Sequence, residues 1–117
     1  MAGMSMTFFP RNTTLVGAAS PGKSYPSEPF DVTMYQALAV TVMLEAAANV
    51  SVTAVLEHST DLVTWNPVDT PSTLTVGTPA NIGHVGTDRF VRVTVVVITT
   101  SGVGVATLWS KGVAREE

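Results

Sequence analysis

The chain has 117 residues, enough for one domain with a buried core and too few for two ordinary domains. It has no cysteine, which excludes a disulfide framework and any thiolate metal site. Charged residues make up 13% of the chain, where about a quarter is typical, and the formal net charge is −3. With six basic residues the chain has too few for the positive surface of a nucleic-acid-binding protein. The low share of charged residues indicates a surface that is partly covered by a partner or by other copies.

The first thirty residues differ from the rest of the chain. Four of the seven prolines fall there, and the only candidate strand lies near residues 14–19. We expect residues 1–30 to form an extended N-terminal arm and a Pro-rich loop, followed by a β-sandwich domain in residues 31–117. Phe8 and Phe9, together with Arg11, are expected to hold this arm against another subunit. The segment lacks the basic and apolar regions of a signal peptide, so none is expected.

Residues 37–46 and 50–58 show the alternation of β-strands. In the first run one face is apolar and branched, and consists of Leu38, Val40, Val42 and Leu44. The other face is small or mixed, and consists of Ala37, Ala39, Thr41 and Met43. The short link at residues 47–49 predicts a β-hairpin between the two runs.

Three shorter strands are predicted next, in residues 62–68, 72–76 and 81–85. Ser59, Thr60 and Asp61 supply the turn before the first of them, since Asp side chains bond to their own backbone in turns. Gly77 and Pro79 separate the other two.

The last third carries the strongest strand signal. Residues 90–99 are nearly all β-branched, with Val91, Val93, Val95 and Val97 on one face. A turn at residues 100–102 and a return in residues 103–111 predict a second hairpin. Together the elements predict an all-β fold, an antiparallel sandwich or jelly roll of seven or eight short strands.

The sequence offers few residues for chemistry. It has no cysteine nucleophile, no H-E-x-x-H and no G-x-S-x-G, so we expect neither an enzyme nor a cofactor. His58, Asp61, His84 and Asp88 are legitimate metal ligands, but no two have the spacing that presents a pair on one element, and no metal is expected. Trp65 and Trp109 fit either a sugar-stacking platform or a packing role, and the packing interpretation is favoured.

Two short segments resemble known motifs. Residues 58–65 (HSTDLVTW), with Asp61 and Trp65, resemble the S-x-D-(G)-x-x-W hairpin of discoidin-like and carbohydrate-binding jelly rolls and of small phage structural proteins. Residues 88–93 (DRFVRV), with Arg89, Phe90 and Arg92, resemble the R-[YF]-[VI]-R-[VI] strand of the same proteins. The resemblance implies architectural roles, with the Trp packed under the hairpin and the Arg–aromatic strand running through the sheet.

The size, the low charge and the Val/Thr/Ala/Gly-rich composition resemble those of head decoration (cement) proteins of tailed bacteriophages. This resemblance implies a virion structural protein, assembled in the host cytoplasm, that binds and stabilises the capsid exterior. Its expected partners are the major capsid protein and copies of itself, as a trimer or dimer, with no nucleic acid or membrane. The alternatives are a carbohydrate-binding jelly-roll module, with Trp65 or Trp109 as platform, and another phage tail or baseplate component.

Overall fold

A computed structural model describes residues 3–86 and 88–116. Within them, ten β-strands form two sheets, and every strand pairing is antiparallel. The strands are β1 (Gly3–Val16), β2 (Lys23–Pro26), β3 (Phe30–Asp31), β4 (Ala37–Ala48), β5 (Val50–Ser59), β6 (Asn66–Pro67), β7 (Ser72–Thr73), β8 (Ala80–Val85), β9 (Phe90–Thr99) and β10 (Val105–Arg115). The predicted all-β antiparallel sandwich is therefore confirmed.

The two sheets pack face to face. Sheet A has the strand order β1-β10-β4-β8, and sheet B has the order β2-β9-β5-β6, with β3 also on β9 and β7 also on β5. The molecule measures 47 × 28 × 20 Å. A 14-residue strand spans roughly 46 Å, so the long axis follows the strands.

The core lies between the sheets, where the alternation of the sequence places it. Leu38, Val40, Val42 and Leu44 of β4 are at most 5% exposed, and the four alternate valines of β9 are fully buried. The prediction of the buried faces of β4 and β9 is confirmed. The alternate residues of β4 must then lie on the outer face of sheet A.

The arm expected in residues 1–30 is not separate from the sandwich. Residues 3–16 are strand β1, which pairs with β10 along its length. Phe8 and Phe9 are 4% and 7% exposed, and Phe8 meets Phe30 edge to face at 5.3 Å between ring centroids. Both side chains are packed in the core of the chain itself, so little of either ring is exposed for contact with a partner. Residues 1 and 2 of the expected arm lie outside the described residues.

Neither predicted hairpin forms. β4 lies in sheet A and β5 in sheet B, while β9 lies in sheet B and β10 in sheet A. Each short connection therefore arches from one sheet to the other. Asn49, with φ 57°, makes the first turn, and the amide of Thr100 in the second connection donates to the Asn49 carbonyl oxygen. Because β1 in sheet A leads to β2 in sheet B at the same end, three such connections lie together there. We call this the arch end.

The short strands differ from their predicted bounds. The strand predicted in residues 62–68 is limited to β6, because the backbone amides before it donate hydrogen bonds to the side chains of Ser59 and Asp61, which hold these residues in a loop. The strand predicted in residues 72–76 shortens to β7, and the one in residues 81–85 is present as β8.

Candidate binding surface

The outer face of sheet A is broad and carries little charge. Its central strands turn their leucines and the valines of β4 into the core, so the outward side chains are small or hydroxyl-bearing residues together with a few larger apolar ones. These outward residues include Ala39, Thr41, Met43, Thr107, Trp109 and Val113. The four strands of sheet A contain one carboxylate, Glu45, and three cations, Arg11, Lys111 and Arg115.

A bulge in β1 shapes this face. Phe9 pairs with Ser110 and Thr13 with Leu108, so three residues of β1 lie opposite the single residue Trp109. Asn12 takes a left-handed conformation, with φ 66°, inside this bulge. The extra length lifts Arg11 over the indole, with 5.4 Å from the guanidinium carbon to the ring centroid.

Two adjoining recesses lie beside the bulge, with volumes of ≈ 270 and ≈ 370 Å³. Because Thr7 and Lys111 line both recesses, the two recesses form one open depression, which we call the trough. The first recess is lined further by Phe9, Pro10, Arg11 and Trp109, and the second by Ser5, Ala39, Thr41 and Val113.

Trp109 lies half-buried in the trough between two cations. The Lys111 ammonium is 5.2 Å from the ring centroid, and Arg11 approaches from β1. Within residues 3–86 and 88–116 neither cation forms an ion pair. The trough therefore combines an aromatic floor with two positive charges that are not neutralised by a carboxylate in that part of the chain.

The loop of residues 59–65, on sheet B, is the second notable surface feature. The buried Ser59 hydroxyl accepts from the amides of Asp61 and Leu62 at 3.2 and 3.0 Å. Asp61 Oδ1 accepts from the amides of Val63 and Thr64 at 2.9 and 2.8 Å, and the Ser59 hydroxyl donates to the same oxygen at 3.0 Å. The hydrogen bonds donated to Asp61 lower the pKa of its carboxyl, and those from the backbone amides of Thr64 and Val63 have the largest effect. The loop is thus held by its own side chains.

Trp65, the last residue of this loop, and Arg92 of β9 stabilise the loop. The Arg92 guanidinium lies 4.2 Å from the Trp65 ring centroid, and its Nε donates to Glu57 Oε1 at 2.8 Å. The Trp65 indole donates to the Leu62 carbonyl oxygen at 3.3 Å. The structure thus brings Asp61, Trp65 and Arg92 of the two sequence motifs together around one loop.

The tip of the loop is apolar and strained. Leu62 has φ 66°, a left-handed conformation that costs a residue with a branched side chain about 1–2 kcal/mol. Leu62 is 46% exposed and Val63 82% exposed. The hydrogen bonds of Ser59 and Asp61 therefore maintain a conformation that holds two apolar side chains in solvent.

Arg89 and Phe90 lie apart from this loop network. Arg89 Nη2 donates to Asp31 Oδ2 at 3.1 Å, and its guanidinium lies over the Phe90 ring. The hydroxyl and amide of Thr33 also donate to Asp31. The Thr33 bonds, with the Arg89 guanidinium, lower the pKa of Asp31 to about 2.

Three of the four residues considered for a metal site, His58, Asp61 and Asp88, are engaged in other contacts. His58 Nδ1 accepts from the Asp88 amide at 3.0 Å and lies 3.7 Å from its carboxylate. In the described part of the chain no three His, Asp or Glu side chains are grouped to hold a metal ion. That part also contains no helix with the length and hydropathy needed to cross a bilayer.

The trough was not among the sites expected from the sequence. One signal for it is present, since Trp109 and Lys111 are two residues apart on an alternating strand whose other face is apolar. Of the expected arm residues, the structure places Phe9 and Arg11 at the trough. The contribution of β1 depends on its register against β10, which the sequence pattern does not give.

No protein-family model matches the chain, and no curated protein matches its sequence. Solved structures share its fold. The VP2 subviral particle of infectious bursal disease virus matches with a TM-score of 0.64 at 11% identity, over 98% of this chain and 33% of VP2. The T13 particle of the same virus matches with a TM-score of 0.62 at 12% identity, over 98% and 31%. The chain thus spans about a third of these viral chains.

A subunit of the Bacillus endospore appendages, a family of disulfide-linked pili, matches with a TM-score of 0.53 at 13% identity, over 98% of this chain and 89% of the pilus subunit. At this level of identity the likeness is one of fold. The chain is an antiparallel β-sandwich of a kind also found in proteins of virus particles and of bacterial pili.

Proposed function

We propose that the chain is a non-catalytic structural subunit of a protein coat, and in particular a virion decoration protein that binds and stabilises the head lattice of a tailed phage. The observation that carries this proposal is the outer face of sheet A, which is broad, carries few charges and is centred on a half-buried tryptophan between Arg11 and Lys111. The cores of protein interfaces are likewise depleted in charge and enriched in aromatic residues.

The side chains of this face suit rigid docking. Ala39, Thr41 and Val113 are short or branched, so they lose little rotamer freedom when a partner covers them. Apolar area that leaves water contributes about 25 cal/mol per Å², offset by the cost of association. Each contact needs only moderate affinity, because many copies on a repeating lattice add avidity.

The fold comparisons support the coarser part of the proposal. The similar structures come from virus particles and from pili, which are assemblies of many copies. Disulfide linkage of the kind named for the pili is unavailable to this chain, which has no cysteine. Its contacts in a coat are therefore not disulfide bonds. The role needs no cofactor, and its partners on the virion exterior are the major capsid protein and other copies of the chain.

Co-sedimentation with phage heads that lack the protein tests the proposal. We expect the wild-type chain to sediment with the heads at saturable stoichiometry and to raise their melting temperature. Ala39→Arg, which places a charge on the outer face of sheet A, should weaken binding at least tenfold. Ser51→Arg, at an exposed position of β5 in sheet B, is the matched control and should bind as wild type. A wild-type chain that neither sediments with heads nor self-associates overturns the proposal.

A further inference from the structure

We propose that the loop of residues 59–65 of one copy inserts Leu62 and Val63 into the trough of a second copy. This inference rests on the proposed function and names the occupant of its binding face. The resulting contact is head to tail, because the loop and the trough are different surfaces of the same chain.

The two surfaces match in polarity and in rigidity. The tip of the loop presents two exposed apolar side chains. The trough offers the rings of Phe9, Pro10 and Trp109 in one recess, and Ala39 and Val113 in the other. Ser59 and Asp61 fix the loop before any partner arrives. Such preorganisation reduces the entropy lost on association.

The charges of the two surfaces are opposite. Arg11 and Lys111 at the trough form no ion pair within the described residues. Asp61 uses Oδ1 for the loop amides, while its Oδ2 receives no hydrogen bond from the described part of the chain. Asp69, which is also exposed, follows a few residues later. A loop seated in the trough brings these carboxylates toward the two cations, and complementary charges steer and orient such a contact.

The fold prevents the loop from filling its own trough. The loop joins β5 to β6 in sheet B, whereas the trough is on the outer face of sheet A, which points away from sheet B. Each copy therefore keeps one free loop and one free trough. A contact of this kind is heterologous, so it closes into a ring or continues as an open array on a lattice.

Sedimentation equilibrium of designed variants tests the contact. Wild type should self-associate with rising concentration. Val63→Lys places a cation against Arg11 and Lys111, and Lys111→Glu places a carboxylate against the acidic loop. Each should weaken self-association at least tenfold. Val103→Lys, at a valine that is 80% exposed at the arch end, and Lys23→Glu, at a lysine that lies 5.4 Å from the ring centroid of Tyr25, are the matched controls and should associate as wild type.

Mixing the two loss-of-contact variants gives the sharpest result. The Lys111→Glu chain keeps an intact loop, and the Val63→Lys chain keeps an intact trough. An equimolar mixture should therefore associate more tightly than either variant does alone. In addition, Val63→Cys and Thr7→Cys chains, which have no other cysteine, should form a mixed disulfide dimer on oxidation faster than either forms a homodimer.

Three results overturn the inference. They are a wild-type chain that stays monomeric at every concentration, a Val63→Lys chain that assembles normally, and two weakened variants that do not complement each other. The proposed function is judged separately by sedimentation with heads. If heads bind wild type and reject Ala39→Arg while wild type stays monomeric in solution, the coat role stands and the contact between copies falls.

Discussion

The backbone amide of Thr100 donates a hydrogen bond of 2.8 Å to the carbonyl oxygen of Asn49. These residues belong to two different connections between the sheets, and the Asn49 side-chain amide adds a bond of 3.2 Å to the Val103 carbonyl oxygen. The connections therefore brace each other, and the arch end behaves as one packed unit.

Gly104→Ala should disrupt this unit. A Cβ at Gly104 would lie 2.7 Å from the Asn49 carbonyl oxygen and would overlap a methyl group of Val50. We expect the free energy of unfolding to fall by about 1–3 kcal/mol, as for other overpacked sites. Gly83→Ala is the control, since its nearest contact would be at 3.9 Å. Urea denaturation of both variants measures the difference, and equal stability of the two would contradict the packing at the arch end.

Ser110→Ala should stabilise the protein. Ser110 is fully buried, and its hydroxyl has no hydrogen-bond partner in the described part of the chain. Removing a buried hydroxyl that lacks a partner recovers its desolvation cost, about 1 kcal/mol. Ser59→Ala is the opposite case, because that buried hydroxyl serves the amides of Asp61 and Leu62, and its loss should destabilise by about 1–2 kcal/mol. Thermal unfolding should move the two melting temperatures in opposite directions.

Arg92→Ala should loosen the loop of residues 59–65. It removes the cation over the Trp65 ring and leaves Glu57 without its ion pair in a site where both side chains are largely buried. We expect a loss of about 2 kcal/mol in stability and faster hydrogen exchange at the amides of Val63 and Thr64. Arg89→Ala breaks an ion pair that is mostly exposed, so it should cost less than about 1 kcal/mol. Unchanged exchange in the Arg92 variant would count against its bracing role.

Stability should depend on pH through Asp31. Its pKa in the folded chain is about 2, below the ordinary value of 3.8. Because the folded pKa is the lower one, its contribution is complete above about pH 4 and is lost as the pH falls toward 2. Carboxyl NMR titration should show Asp31 ionised at pH 3. Asp31→Asn should reduce the pH dependence of unfolding in this range, and titration of Asp31 near 3.8 would refute the network with Thr33 and Arg89.

The sequence pattern predicts individual strands of this fold better than their partners. In β4 and β9 the alternation separates core from surface, and the structure agrees from Leu38 to Leu44 and at the four alternate valines, whereas Thr94 is buried on the other face of β9. The link at Asn49 is short enough for a hairpin or for an arch. Whether the link forms a hairpin or an arch depends on the pairing of β4 and β5 with strands remote in sequence. A window of residues around Asn49 does not contain that information.

β1 shows why the sequence pattern predicts an extended arm where the chain forms a strand. Its bulges after Thr7 and Phe9 break the alternation, and Pro10 adds a local signal against regular strand structure. The sequence predicts the two phenylalanines as contacts with another subunit, whereas the bulge lets both rings pack in the core of the chain itself. The trough depends on the same bulge, so the sequence pattern does not predict the trough either.

The arches also shape how quickly the chain can fold. Each main pairing of the sandwich joins distant segments, such as β1 with β10 and β5 with β9. Among the described strands no long hairpin is available as a nucleus, and folds dominated by non-local pairing take milliseconds to seconds. During that time β10 lacks its partners β1 and β4, which lie much earlier in the sequence. The outer face of sheet A, built across β1, β10, β4 and β8, is therefore complete only when folding is, which delays any assembly through it until the subunit is finished.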